Sequence, residues 1–200
     1  MPEYRDDVRE YLEIAVLSVT PKATSGITAT PANHARLAEL VHRAVPYPMI
    51  LLLESEQILV LSLAHKRRAQ NQTDKVILDG AVVTVTLTAD APSSAVEIAF
   101  LQALSLRRQP QTTLNALYQG WIGSLQALLV SRLTGTFNLA GSPEHAARRS
   151  QALHDCLRLE LQTAALHAQA GKEKQLARQV ELNLELMRVK AELIITRQEL

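Results

Sequence analysis

Chemistry needs several reactive side chains brought to one point, and the residues able to supply it are thinly spread along this chain. The six histidines stand at 34, 42, 65, 145, 154 and 167. None forms a His-x-x-x-His pair with an adjacent acid, the spacing that turns two imidazoles toward one metal on a single helix face. The triplet His154-Asp155-Cys156 gathers three ligand types, but consecutive helical residues do not share a face. Cys156, the single cysteine, continues an apolar seam beside Leu153 and Leu157, and a buried thiol is a poor nucleophile. With seven glycines, the chain has no G-x-G-x-x-G or G-K-[ST] loop to bring backbone N–H groups to a pyrophosphate, and no G-x-S-x-G elbow. These patterns assign no catalytic residue, no metal ligand and no cofactor.

One enzyme class is worth testing against the residues. Metal-dependent DNA-cleaving folds place an acidic residue on one strand and an acid-x-Lys on the next. Here the second strand of a hairpin ends 64-AHK-66, so Lys66 is present while Ala64 stands where the carboxylate is needed, and a divalent ion would lose a main ligand. Glu54 and Asp79 read as turn residues. A degenerate nuclease-like enzyme is therefore the third reading. The second is a nucleic-acid-binding accessory built on local basic groups, Lys66-Arg67-Arg68 and Arg107-Arg108, with Arg148-Arg149 further on. Brought together, such groups make a phosphate-binding strip with salt-dependent affinity. Each lies near an element end, where helix-dipole complementarity is the ordinary explanation, and 4% aromatic content leaves little for base stacking.

Composition narrows the rest. Twenty-one Lys and Arg against twenty Asp and Glu give a formal charge of +1, so any basic binding surface must be local. A lone cysteine excludes an intrachain disulfide and fits a reducing compartment, with the cytoplasm expected. MPEYRDDVREY is charged where a signal peptide needs an apolar centre, and 49-MILLL-53 stops at Glu54, far short of a span, so no membrane association is expected. With 47% apolar residues, 200 positions can bury a sizeable core.

The elements that would position these residues change character near Asp90. Before it, 11-YLEIAVLSV-19 reads as a strand, and Thr30-Pro31 as the cap and first position of a helix carrying Leu37, Leu40, Val41 and Ala44 that ends before Pro46 and Pro48. Two apolar runs around 54-ESEQ-57 read as one hairpin. In 75-KVILDGAVVTVTLT-88 the Asp79-Gly80 pair predicts a second, through a type I′ turn. Beyond it the period becomes 3.6, with helices over 92–106 and 112–133. Gly120 and Gly123 flank Trp121 in the latter, pointing to close packing against the sheet or a local kink, with a binding cleft under Trp121 as the functional alternative.

Residues 142–200 are the most regular. Ser142, Pro143 and Glu144 open a helix to about Gln169, Gly171 ends it, and a last helix fills Lys172 to Leu200. Each is on the order of 40 Å long at 1.5 Å per residue, and the short turn forces them antiparallel. The first would present Leu153, Leu157, Leu161, Ala164 and Ala168. The second would present Leu182, Leu186, Val189, Leu193, Thr196 and Leu200 at steps of four and three. A further stripe, Val180, Leu184, Met187, Ala191 and Ile194, widens the apolar face beyond what one partner helix covers. Asn183 lies at its edge, where a buried amide fixes register; the simpler reading is that it faces water.

Two segments carry a family likeness. The stretch 44-AVPYPMILLLESEQILVLSLAHK-66 resembles the Ala-Ile-Pro-Tyr-Pro strand pair, closed by an aromatic-Lys, of a bacterial family catalogued as domain of unknown function 4391; here His65 replaces the aromatic. The stretch 173-EKQLARQVELNLELMRVKAEL-193 is similar to that family's C-terminal helix, with Val180, Glu181, Leu182 and Asn183 matching and Leu176 and Ala177 departing. The resemblance implies an accessory partner of helicases and DNA methyltransferases in loci of the mobile or defence type, and it supplies no catalytic residues. The expected architecture is α+β, a small mixed or antiparallel sheet with helices over 1–107, a connecting helix and loop over 108–141, and a coiled-coil-like antiparallel hairpin over 142–200. The expected role is a non-enzymatic interaction or assembly subunit that docks a protein partner or its own copy through Val180, Asn183, Leu184, Met187, Ala191 and Ile194.

Overall fold

The computed structural model describes residues 1–20, 31–55, 58–70, 72–88 and 94–200. They divide into two compact units, Met1–Leu128 and Leu129–Leu200. The protein is α+β, with small mixed and antiparallel sheets in the first unit and a long helical hairpin in the second.

The first unit opens with a short antiparallel ribbon, β1 (Tyr4–Arg5) and β2 (Glu10–Tyr11). Its turn is held by Asp6, whose Oδ1 accepts the Val8 and Arg9 N–H groups at 2.8 and 2.5 Å, the local bonding that suits a short acidic side chain to turns. Strand β3 (Ala15–Val19), helix α1 (Pro31–Ala44) and strand β4 (Met49–Glu54) then form a βαβ unit, because β3 and β4 are parallel. Pro31 takes the first helical position, as its fixed φ allows; Thr30, the expected cap, lies outside the described residues. Strand β5 (Ile58–Leu63) returns antiparallel on β4, giving the first expected hairpin.

The second expected hairpin does not form. Strand β7 (Gln72–Leu78) pairs with β6 (Lys66–Ala69) in a separate two-stranded ribbon, and β8 (Val83–Thr88) joins β5, for a four-stranded order β3-β4-β5-β8. A type I′ turn needs positive φ at both central residues, and only Gly80 has it, at 91°. Asp79 is otherwise engaged, its N–H donating to the His65 carbonyl at 2.8 Å and its carboxylate taking two arginines. The turn signal therefore marks a change of sheet.

Alternation along the strands builds the core. Met49, Leu51 and Leu53 of β4 and Val60 of β5 are buried with Ala38 of α1, and Leu37 and Val41 pack against them. A polar thread crosses this layer: His42 Nε2 lies 3.1 Å from Ser62 Oγ, which lies 3.1 Å from Thr84 Oγ1. The threonine row of β8 therefore turns one hydroxyl inward. Ser62 and His42 are both fully buried, so this serine-histidine pair is part of the packing and out of a substrate's reach.

Helix α2 (Ala95–Ala103) is capped by Ser94, whose Oγ accepts the Glu97 N–H at 3.1 Å. A single turn of 3₁₀ helix, Leu106–Arg108, leads to α3 (Leu114–Thr134), which runs through the division between the units. Gly120 is needed for close approach to the preceding loop: a Cβ there would lie 2.2 Å from Gln109 Oε1 and 2.7 Å from Pro110 Cδ. Trp121 Nε1 donates to the Leu104 carbonyl at 3.0 Å, and Gln109 Nε2 to the Ala103 carbonyl at 2.5 Å, so two side chains satisfy carbonyls that the end of α2 leaves open. Of the two glycines around Trp121, Gly120 thus reports packing, against a loop instead of the sheet, and Gly123 meets nothing within 4 Å.

The second unit is dominated by α4 (Pro143–Lys172, 30 residues) and α5 (Leu176–Arg197, 22 residues), packed against each other. Ser142 caps α4, its Oγ accepting from the His145 N–H at 3.2 Å. Gly171 remains inside the last turn. The stop comes at Glu173, whose Oε1 accepts the Lys174 and Gln175 N–H groups at 2.8 and 2.9 Å and so opens α5. On α5 the buried residues are Leu182, Leu186, Val189 and Leu193, as the four-three spacing predicts. On α4 the prediction needs correction. The buried residues are Arg149, which donates to the Asn138 carbonyl at 2.7 Å, and Ala152, Leu153, Cys156, Leu159, Leu166 and Ala170, whereas Leu157, Leu161, Ala164 and Ala168 are exposed. Cys156, Leu159, Leu166 and Ala170 join the α5 residues in one buried cluster, and Leu157 and Leu161 fall on other sides of the helix.

Candidate functional site

Two surfaces collect the residues singled out in the sequence, one in each unit. In the second unit, Val180, Leu184, Met187 and Ile194 are 50%, 55%, 69% and 62% exposed, and Ala191 is exposed with them. Their spacing of four and three repeats that of the buried seam but sits two positions away, which turns the stripe toward the outer side of α5. Asn183 is exposed beside it, so in the isolated chain its amide fixes no buried register. Arg188 and Lys190, also exposed, flank Met187, while Glu181 is held by Arg178 at 2.6 Å. The outer face of α5 is therefore an apolar row with cationic edges.

The first unit gathers part of the basic set. Lys66, at the start of β6, is 3% exposed. Its Nζ donates to the carbonyls of His42 and Val45, the latter at 2.9 Å, and so caps the end of α1, where a cation is favoured. Burial pushes its ammonium down to about 8; the two carbonyls favour the charged form. Arg68 pairs with Glu10 at 2.6 Å, and Glu10 also takes Arg5. Arg67 lies 3.6 Å from Asp79, which binds Arg9 at 2.5 Å. Each carboxylate thus serves two guanidiniums, tying the β1-β2 ribbon to the β6-β7 region. Glu10 stays ionised well below the usual carboxylate range, first because of Arg68.

Lys66, Arg67 and Arg68 line a cleft of about 480 Å³ together with Pro46, Tyr47 and Pro48. Arg107 and Arg108 are exposed on the short 3₁₀ turn and take no part in this lining. In the sequence the two basic groups and the Pro-Tyr-Pro strand entry stand as separate patterns. Glu3, Glu10, Leu12, Glu13 and Val76 complete the cleft; they come from distant segments, and the one available signal is a lysine closing an apolar strand pair.

Beside Lys66, an aromatic cluster fixes the backbone. Tyr11 O–H donates to His65 Nδ1 at 2.5 Å, and His65 Nε2 lies 2.6 Å from Gln119 Oε1. The amide oxygen only accepts, so the imidazole carries its proton on Nε2. Burial lowers the His65 pKa, holding it neutral, and raises those of Tyr11 and Tyr118. Tyr118 O–H reaches the carbonyl of Met49 at 2.7 Å and that of Ala64 at 3.1 Å, and accepts the Ala64 N–H at 3.1 Å. Ala64, where a nuclease would carry its metal-binding carboxylate, is thereby enclosed by a phenol. Among the described residues no three His, Cys, Asp or Glu are disposed around one point as metal ligands, and no helix is long and apolar enough to cross a membrane.

No curated protein and no solved structure matches the chain. The family described as Domain of unknown function (DUF4391) matches residues 1–193. That stretch takes in both segments of the likeness, the strand pair from Ala44 to Lys66 and the helix that carries Val180 to Asn183, and the chain belongs to this family.

Proposed function

We propose that this protein is a non-enzymatic interaction or assembly subunit, and that a protein partner covers the outer face of α5. The observation that carries the reading is the exposure of Val180, Leu184, Met187 and Ile194 in a regular row on a helix whose opposite seam is already filled. Single exposed apolar side chains are ordinary, but a contiguous row marks an interaction surface. At roughly 25 cal/mol per Å², covering a few hundred Å² favours association by several kcal/mol before ordering costs. The family likeness directs the choice of partner toward helicases and DNA methyltransferases, with a second copy of the chain as the other occupant. The nucleic-acid reading is weakened by the dispersal of its basic groups: Arg107 and Arg108 take no part in the cleft that Lys66, Arg67 and Arg68 line.

Light scattering and calorimetry test the proposal on the double variant Leu184→Glu, Met187→Glu. Both positions face outward, so helicity is retained and stability changes by no more than about 0.5 kcal/mol per site, while self-association, or binding of a helicase or methyltransferase from the same locus, is lost. Unchanged association in the folded variant overturns the reading.

A further inference from the structure

Lys66 is positively charged where charge is costly. It is 97% buried by the complement of its 3% exposure, and both acceptors of its Nζ are neutral carbonyls. Two of the acids nearby are committed elsewhere, Glu10 to Arg5 and Arg68, Asp79 to Arg9 and Arg67. An ammonium has three donors, of which two are filled. A buried cation normally has a counter-ion, and among the described residues this one has none within pairing distance. It does line an open cleft of about 480 Å³, within the roughly 300–1,000 Å³ range of small-molecule sites.

The rest of the lining says which ligand would suit that charge. Glu10, another member of the lining, sits against Arg68, and Arg5 and Arg9 stand outside it, so the charge that Arg67 and Arg68 add beside Lys66 is partly offset. Tyr47, 43% exposed, and Leu12, likewise 43% exposed, offer apolar surface in the same cleft. Glu3 and Glu13, exposed members of the lining, repel any ligand whose negative charge extends outward, as along a nucleic-acid strand.

We propose that this cleft binds a small organic anion, its carboxylate or phosphate group seated at Lys66 beside Arg67 and Arg68 and its apolar body against Tyr47 and Leu12. The site is separate from the outer face of α5, and its failure would leave the docking proposal intact.

The test is titration of the full chain with phenyl phosphate, phenylacetate and inorganic phosphate, followed by calorimetry and by the side-chain nitrogen resonance of ¹⁵N-labelled lysine. One aromatic anion is expected to saturate a single site at least ~ten-fold more tightly than inorganic phosphate, and the better of the two identifies the oxyanion. The Lys66 resonance should then titrate at higher pH, because a counter-ion favours the ammonium. Lys66→Met abolishes binding but also removes the α1 cap. Tyr47→Ala and Arg67→Gln, at partly exposed positions, therefore serve as the second arm, each weakening the aromatic anion ~ten-fold in a chain that still melts cooperatively. Absence of saturable binding by either aromatic anion, binding unchanged in both surface variants, or displacement of the anion by a short DNA duplex overturns the proposal.

Discussion

His42 and Lys66 meet at the end of α1, and only Lys66 is charged at neutral pH. Burial, then the neighbouring ammonium, lowers the His42 pKa from 6.5 to about 4. The unfolded chain therefore binds a proton between these values that the folded chain refuses, so stability falls as pH drops from about 6.5 to about 4 and is unaffected by this group above neutrality. The shift corresponds to a loss on the order of 3 kcal/mol across that window. Urea midpoints measured from pH 7.5 to 4.5 should show this slope, and His42→Gln should flatten it even though it lowers stability at pH 7. A slope unchanged by the substitution would assign the effect to other groups. Nothing in the sequence distinguishes His42 from the other five histidines, since its burial depends on Ser62 and Thr84, two strands away. The cleft was equally illegible: Lys66 and the Pro-Tyr-Pro entry were visible as a local pattern, while Glu3, Leu12, Glu13 and Val76 join them only through the pairing of two separate ribbons.

At the scale of elements, legibility follows how locally each one is decided. The β4-β5 hairpin and the α5 seam were readable because neighbouring residues settle them: two apolar runs around a polar turn, and a strict four-three row. The α4 seam was not. Leu157 and Leu161 match Leu159 and Leu166 in residue type, yet only the latter two join Cys156 and Ala170 in the cluster with the α5 residues, so hydrophobicity alone does not separate them. Asp79-Gly80 misled for a tertiary reason, since Arg9 and Arg67 claim the aspartate. The loop between α2 and α3 yields a paired prediction. Gly120→Ala forces its methyl into Gln109 and Pro110 and should cost about 1–3 kcal/mol. Gly123→Ala meets nothing within 4 Å and should gain up to about 1 kcal/mol from helix propensity. Denaturant midpoints of the two variants should move in opposite directions, and a shared sign would contradict the close approach at Gly120.

For the whole molecule, the consequential fact is that each unit has its own buried cluster: Ala38, Met49, Leu51, Leu53 and Val60 in the first, and Cys156, Leu159, Leu166, Leu182, Leu186 and Val189 among others in the second. Leu186→Ala removes a 7% exposed side chain from the second cluster and should cost about 2–5 kcal/mol. Hydrogen exchange reads where that loss falls. Amides of α4 and α5 are expected to lose protection while those of β4 and β5 keep it, as separate cooperative segments do; equal loss throughout would show a single cooperative structure.

The same hairpin has a bearing on stoichiometry. Leu157 and Leu161 of α4 are 44% and 74% exposed, on the side of their helix turned from the seam, just as Val180 to Ile194 are on α5. If the α5 row takes a guest as proposed, these two leucines leave a second, smaller apolar foothold on the other flank. One guest on α5 leaves the other flank wet, so a complex in which neither flank is open holds two guests for each chain, or strings chains side by side through alternating flanks.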